Sequence, residues 1–104
     1  MTTFDKREEG FEKKFAHDAE LKFKATARRN RMMGQWAAEK LGLSGAEADA
    51  YAREVVLADI EGTGVAAKLR KDFDAKGVAQ SDHQIQRHMD EMLAQAIAQL
   101  KAAG

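Results

Sequence analysis

Residues 4–38 decide how this chain folds, and their sequence is FDKREEGFEKKFAHDAELKFKATARRNRMMGQWAA. At its start, Phe4, Phe11 and Phe15 fall at i, i+7 and i+11, which places them in one narrow apolar stripe at the helical period. Charged residues surround this stripe on both sides. The pattern predicts a helix whose aromatic face is too thin and too charged to form a core of its own.

The opening segment is expected to need a partner. Burying a Phe side chain stabilises by roughly 1.5 to 3 kcal/mol, so three of them are useful to a binding partner. An isolated helix of this length is marginal in water, and Gly10 weakens it further. We therefore expect residues 1–18 to be loosely ordered when free and helical when bound, and residues 19–104 to form the folded domain.

Two amphipathic helices follow in the sequence. The first is predicted over about 19–41, and Gly42 is suited to its left-handed C-terminal cap. The second is predicted over about 45–61, where Ser44 and Glu47 have the spacing of a capping box. Their expected inner faces are Leu21, Ala25, Met32, Met33, Trp36, Ala37 and Leu41, and then Ala48, Tyr51, Ala52, Val55, Val56 and Ile60.

Two further helices complete the predicted fold. The third, over about 64–76, carries Val65, Leu69 and Phe73 at steps of four and stops at Gly77. Ser81 and Gln84 form a second capping signal, which opens a last helix over about 82–102. Its apolar stripe consists of Ile85, Met89, Met92, Leu93, Ala96, Ile97 and Leu100. Short turns between four amphipathic helices, with no strand signal, predict an all-α antiparallel four-helix bundle.

The composition limits the function classes. The chain has 104 residues, enough for one domain, and it contains neither Pro nor Cys. Seventeen basic residues balance seventeen acidic ones, which argues against a dedicated nucleic-acid or anionic-membrane binder. No signal peptide and no membrane-spanning run is recognisable. We expect a cytoplasmic protein without direct membrane insertion, whose partner is another protein.

Charge is distributed unevenly between the first two bundle helices. Residues 21–40 carry six basic residues against Glu39 alone, whereas residues 46–61 carry five acidic residues against Arg53 alone. If these helices are antiparallel neighbours, they should attract each other. The sequence therefore predicts charge pairing between them.

No constellation of an active site is recognisable. The phosphate-binding pattern of Gly, four residues and Gly-Lys-Ser/Thr is missing, and Gly62 with Gly64 lacks the strand and third glycine of a dinucleotide turn. His83 and His88 are five residues apart rather than the four of a zinc helix. His17 is interpreted as a solvated side chain without a role. We expect no enzyme, no metal site and no required cofactor.

One cluster has the composition of a nucleotide contact. Guanidinium groups at Arg28 and Arg29 match phosphate oxygens, and Trp36, with Lys40 four residues later, offers a stacking surface. The alternative interpretation is structural, because tryptophans more often anchor cores and surface arginines more often meet acidic side chains. From the residues alone, the structural interpretation is the stronger of the two.

The quoted stretch resembles the zeta subunit of the alpha-proteobacterial F-type ATP synthase, an ATPase inhibitor family. The resemblance rests on FD at 4–5, RE at 7–8, KFAHD at 14–18, EL at 20–21, FKA at 23–25, ARRNR at 27–31, Gly34 and WAA at 36–38. It covers the first 38 residues strongly, and the remainder agrees in helix order, turn positions and length.

The resemblance implies a regulatory inhibitor. Such a protein would insert its N-terminal segment into an interface of the catalytic sector and block ATP hydrolysis without chemistry of its own. The implied partner-binding residues are Phe4, Asp5, Arg7, Phe11, Glu12, Lys14 and Phe15. The family also implies ADP or ATP as a ligand, and a location at the inner face of the membrane through the ATP synthase.

Two other functions stay open from the sequence. The first is a nucleotide-sensing helical domain without strong inhibitory activity, in which the opening segment is incidental. The second is an RNA-binding helical module built on residues 27–31, ARRNR.

Overall fold

In a computed structural model the chain forms four helices, and the structure describes the backbone of residues 2–103 and the side chains of residues 18–103. The helices are α1 (Thr2–Lys40), α2 (Gly45–Ile60), α3 (Val65–Lys76) and α4 (Asp82–Ala103). No strand occurs in the described backbone. The predicted all-α class is therefore confirmed.

Helix α1 differs from its predicted extent. The sequence favoured a helix over 19–41, whereas the described helix runs from Thr2 to Lys40 without a boundary near residue 18. The chain contains no proline, and a single glycine inside a helix costs only about 1 kcal/mol relative to alanine, so nothing in the sequence forces a break. The division into a segment that orders on binding and a folded domain stays a prediction.

The turns after α1 and before α4 are formed by the predicted residues. Gly42 has a φ of 78°, and the amides of Gly42 and Leu43 donate to the carbonyls of Glu39 and Ala38, as in a Schellman cap. At α4, the Ser81 amide donates to Gln84 Oε1 at 2.8 Å, and the Gln84 amide donates to Ser81 Oγ at 3.1 Å. Both reciprocal bonds of a capping box are present.

The other predicted capping box is wrong. Ser44 is the N-cap of α2, but its side chain makes no capping hydrogen bond. Gly45, the first helical residue, has a φ of 56°, far from the helical value. The serine is therefore followed by a left-handed residue rather than by a regular first turn.

The core is formed by one stripe from each helix. All three predicted residues of α3, Val65, Leu69 and Phe73, are buried. Around them lie Met33, Ala37 and Ala38 of α1, Tyr51 and Val55 of α2, and Ile85 of α4. Ile60 was predicted to face inward and is 77% exposed, while its neighbour Ala58 is buried. In this part of α2, apolar residues occur on several sides, so periodicity alone selects the wrong one.

Three pairs of helices contact each other in reversed residue order. Asn30 of α1 meets Asp59 of α2, and four residues later Gly34 lies against Ala52. The same reversal joins α2 to α3 and α1 to α4. The contacts are Glu54 with Lys68 and Tyr51 with Asp72, and then Arg28 with Gln99 and Trp36 with His88.

Gly34 allows the closest approach of α1 and α2. A Cβ atom at this position would lie 2.6 Å from Ala52 Cα and 3.2 Å from the Ala52 carbonyl oxygen. Both atoms belong to the backbone of the facing helix and cannot rotate away. The two helices are therefore in backbone contact, and this contact fixes their register at the level of the core.

Candidate functional site

The predicted inhibitory segment lies on the first turns of α1. The backbone from Phe4 to Phe15 belongs to this helix. The side chains of the seven predicted partner-binding residues and of His17 lie outside the described residues. Their roles therefore stay predictions.

The two candidate phosphate-binding arginines contact different neighbours. Arg28 Nη1 donates to Gln99 Oε1 of α4 at 3.1 Å, at an exposed position. Arg29 is partly buried, and its Nε and Nη2 donate to Asn30 Oδ1 at 3.1 and 2.9 Å. Their side chains thus lie on different sides of α1 instead of forming one clamp.

Trp36 packs inside the helical domain. Its ring meets Phe73 of α3 edge-to-face with centroids 5.7 Å apart, and it lies 4.2 Å from the His88 ring of α4 at a tilt of 31°. Lys40, in the last turn of α1, is exposed. These contacts are those of a core anchor, as the structural interpretation of Trp36 expected. The His88 ring lies against one face of the Trp36 ring.

Sequence reasoning missed a buried polar link between α1 and α2. Asn30 is 2% exposed, and its Nδ2 donates to Asp59 Oδ2 at 2.9 Å while its Oδ1 accepts from Arg29. Arg29, Asn30 and Asp59 therefore form a chain of hydrogen bonds in which the buried amide is satisfied on both sides. A polar residue within the apolar positions of α1 was the only available signal.

The charge pairing predicted between α1 and α2 is wrong for the described residues. Lys24 pairs with Glu20 of its own helix at 3.0 Å, and Glu54 of α2 pairs with Lys68 of α3 at 3.4 Å. The backbone contact at Gly34 explains the difference. Small residues form the seam between α1 and α2, and the ion pairs of Lys24 and Glu54 are made elsewhere.

Comparison with known proteins gives the family. The family model of the ATPase inhibitor subunit zeta matches residues 1–99. The chain belongs to this family. A solved structure, determined by solution NMR, is 44% identical with a TM-score of 0.68, and the match covers 81% of this chain and 99% of that one. No curated protein matches.

Membership in the zeta family confirms the resemblance found in the sequence. The matched range includes the predicted inhibitory segment and nearly all of the four helices. A family of ATPase inhibitors is regulatory, and it implies an ATP synthase as the partner. In the part of the chain that the structure describes, no helix is long and apolar enough to cross a membrane.

A polar cluster between α2 and α3 has perturbed ionisation. Tyr51 Oη donates to Asp72 Oδ2 at 2.7 Å, and Lys68 Nζ lies 3.0 Å from the same carboxylate. Burial and then the bond to Asp72 raise the pKa of Tyr51. Burial lowers the pKa of Lys68, but Asp72 and Glu54 outweigh it, so the net shift is upward. Both shifts favour the protonated form of each group, and the cluster links α2 to α3.

The two histidines of α4 lie in different environments. His88 is half-buried against Trp36, with Nδ1 4.0 Å from Glu91 Oε2, and His83 is exposed. Among residues 18–103, whose side chains are described, no three His, Cys, Asp or Glu side chains are grouped to hold a metal ion.

Proposed function

We propose that this chain inhibits ATP hydrolysis by inserting its N-terminal segment into an interface of the catalytic sector of the F-type ATP synthase. One observation supports this most strongly. The family model matches from residue 1, so it includes the amphipathic segment together with the helical domain. The activity of an inhibitor needs no catalytic group, and the chain acts as a regulatory protein rather than an enzyme.

The inserted segment would bind through its aromatic stripe. Phe4, Phe11 and Phe15 share one side of a helix, and buried aromatic anchors contribute most of the affinity of many interfaces. The charged positions at the edges of this stripe would fix orientation and register through ion pairs; they are Asp5, Arg7, Glu12 and Lys14. We call this inserted segment, residues 4–15, the wedge. It would stop hydrolysis by preventing the interface from changing shape between catalytic states.

The helical domain would hold the wedge in place. We infer that it is an antiparallel four-helix bundle, because contacts run in reversed residue order between α1 and α2, between α2 and α3, and between α1 and α4. Since α1 carries both the segment and one wall of the domain, the orientation of the wedge depends on where the domain sits. The complex would lie on the cytoplasmic side of the membrane, at the catalytic sector.

The wedge is tested by substitutions on and off its stripe. Phe11→Ala with Phe15→Ala should abolish inhibition of the isolated catalytic sector at concentrations where the unmodified chain inhibits fully. Glu9→Ala lies on the opposite side of the same helix and should inhibit normally. Circular dichroism melting serves as the folding control. Full inhibition by the double Phe variant would refute the proposal.

Gly10 provides a test in the opposite direction. If the segment must be helical when bound, Gly10→Ala should lower the half-inhibitory concentration by up to about fivefold, because alanine favours a helix by about 1 kcal/mol over glycine. Weaker inhibition by this variant would show that the bound segment is not a regular helix at residue 10.

Adenine nucleotide is the proposed modulator of this inhibitor. Arg29, Trp36 and Lys40 are spaced by seven and four residues along α1, and Arg28 precedes them. Titrating ADP or ATP should change the fluorescence of Trp36, the only tryptophan, and shift the amide resonances of residues 28–40. Substituting Arg29 and Lys40 by Ala should remove the response. If a response persists in this variant, the nucleotide binds elsewhere, and the absence of any response would exclude the modulator. Nucleotide binding by a chain that fails the inhibition test would favour a nucleotide-sensing domain.

A further inference from the structure

The large apolar side chains that are exposed in the described part of the chain all belong to α1 and α2. They are Phe23, which is 76% exposed, Leu57, which is 50% exposed, and Ile60, which is 77% exposed. Such residues are unremarkable when they are scattered, but a group of them on one side indicates an interaction surface.

Two of these residues line an open groove of about 560 Å³ beside α2. Its lining is mostly apolar and includes three charged residues; it consists of Arg31, Asp49, Ala52, Arg53, Val56, Leu57 and Ile60. We call these residues, together with Phe23, the α2 groove. On α1, Phe23, Ala27 and Arg31 are spaced by four residues, so Phe23 continues the row that leads into the groove.

The arginines of the α2 groove differ from the other arginines whose side chains are described. Arg28, Arg29, Arg70 and Arg87 each donate to a side-chain oxygen. Within residues 18–103, Arg31 and Arg53 have no such partner. Two unpaired arginines therefore line the groove, and the lining includes only one carboxylate, that of Asp49.

The position of the groove along α1 indicates what covers it. Phe23 follows Phe15 by eight residues, which is about 12 Å along a helix, and Arg31 follows Phe23 by the same interval. Phe23 and the groove come next along the same helix, turned by roughly 80° from the side of Phe15, so they would lie beside the surface of a catalytic sector that holds Phe4–Phe15 in its interface. The unpaired arginines would attract carboxylates on that surface.

We propose that the α2 groove is a second docking site, which receives an apolar side chain flanked by acidic residues from the surface of the ATP synthase catalytic sector. This proposal rests on the function proposed above, because it takes the catalytic sector as the partner. The wedge blocks the enzyme, whereas the groove sets the affinity and the orientation of the domain that carries the wedge.

The apolar part is tested with full-length chains and the isolated catalytic sector. Leu57→Asp with Ile60→Asp should raise both the dissociation constant and the half-inhibitory concentration by at least about tenfold. Inhibition at saturating concentration should remain complete, because the wedge is unchanged. Ala94→Asp, at an exposed site on α4, is the matched control and should bind normally. Normal binding by the groove variant would overturn the proposal.

The charged part is tested separately. Arg53→Glu should weaken binding, and its effect should shrink as salt is raised, while Lys71→Glu at an exposed site on α3 should have no effect. Equal effects of both variants would mean that only overall charge matters, and would overturn the assignment of the groove.

Other occupants of the groove give distinct results. A second copy of the chain would appear as a dimer in sedimentation that Leu57→Asp with Ile60→Asp dissociates. An adenine nucleotide would bind the free chain and lose affinity in the same variant. Either result, combined with unchanged affinity for the catalytic sector, would overturn the proposal.

Failure of the groove and failure of the wedge are distinguishable. Phe11→Ala with Phe15→Ala should retain measurable binding through the groove while losing inhibition. If that variant inhibits fully, the wedge is wrong. If the groove variant binds normally and inhibits fully, the wedge stands and the groove is wrong.

Discussion

Helix α2 packs against α1 and against α3. We call these two interfaces its seams, and they differ in residue composition. Towards α1, the seam consists of small residues and a backbone contact, with Gly34 against Ala52 and the buried amide of Asn30 bonded to Asp59. Towards α3, the seam consists of Tyr51 and a cluster of charged side chains around Asp72. The first seam depends on close packing around Gly34 and on one buried hydrogen bond, whereas the second carries a partly exposed cluster of charged side chains.

Because of this difference, the contributions of the two seams to the free energy of unfolding should respond differently to mutation, salt and pH. Packed backbone contacts are insensitive to ionic strength, because they involve no net charge. Ion pairs that are partly exposed contribute little and are screened by salt. The α1/α2 seam should therefore dominate the free energy of unfolding, and the α2/α3 seam should make that free energy depend on conditions.

Gly34→Val should break the shape-dependent seam. Because the new Cβ would overlap backbone atoms of Ala52, the helices must separate, and we expect a loss of about 3 kcal/mol in the free energy of unfolding. Urea denaturation measures it. Ala27→Val, at an exposed site on the same helix, should cost no more than about 0.7 kcal/mol. Similar midpoints for the two variants would show that the contact is not rigid.

Asn30→Leu should break the polar link in the same seam. The substitution leaves Arg29 and Asp59 without their shared partner, and we expect a loss of about 2 kcal/mol. Asp59→Asn keeps an oxygen that accepts the bond from Asn30 and should cost less. If both variants unfold at the same urea concentration, the contribution of Asp59 is its charge rather than its hydrogen bond.

Tyr51→Phe tests the second seam at neutral pH. It removes the bond of 2.7 Å to the Asp72 carboxylate, and we expect a loss of about 1.5 kcal/mol. The loss should be smaller than that from Asn30→Leu, because Asp72 keeps its ion pair with Lys68. A larger loss would reverse the ranking of the two seams.

Alkaline pH should act through the same hydroxyl. Burial, followed by the bond to Asp72, raises the pKa of Tyr51 in the folded chain above its usual value of 10.0. The folded state therefore retains a proton that the unfolded state loses, so stability is present below pH 10.0 and declines as pH rises above it. Tyr51→Phe should unfold with a weaker pH dependence in this range. Tyrosinate absorbance that appears before unfolding would contradict the shift.

Lys68→Met should have the smallest effect. Its ammonium group lies 3.0 Å from Asp72 and 3.4 Å from Glu54, but these contacts are partly exposed, so we expect a loss of about 0.5 kcal/mol. The difference from the unmodified chain should vanish in about 1 M salt. The loss caused by Gly34→Val should be unchanged by the same salt. If salt reduced the losses from both substitutions equally, electrostatics would account for both seams.

The sequence predicted the features that depend on local chemistry. Val65, Leu69 and Phe73 recur at steps of four in a short helix, and all three are buried. Ser81 and Gln84 satisfy each other within one turn, so their capping box needs no distant residue. Such features are set by neighbours in the chain, and periodicity and spacing are sufficient to find them.

The sequence-based predictions were wrong or incomplete where the structure depends on contacts between residues far apart in the chain. Ile60 and Ala58 are both apolar, and Ala58 faces inward beside Asp59, which is bonded to Asn30 on α1, while Ile60 is exposed. Ser44 has the sequence of a cap, but the left-handed Gly45 changes the geometry. The α2 groove was missed for the same reason, because its arginines belong to two helices.

Trp36 and Tyr51, the single tryptophan and the single tyrosine, dominate the near-ultraviolet absorbance of the chain and report on different helices. Trp36 of α1 touches Phe73 of α3 and His88 of α4, while Tyr51 of α2 is bonded to Asp72 of α3. Between them they sample every helix. The assembly of the domain can therefore be followed by intrinsic absorbance and emission without labels, and a difference in timing between the two signals would reveal which helices join first.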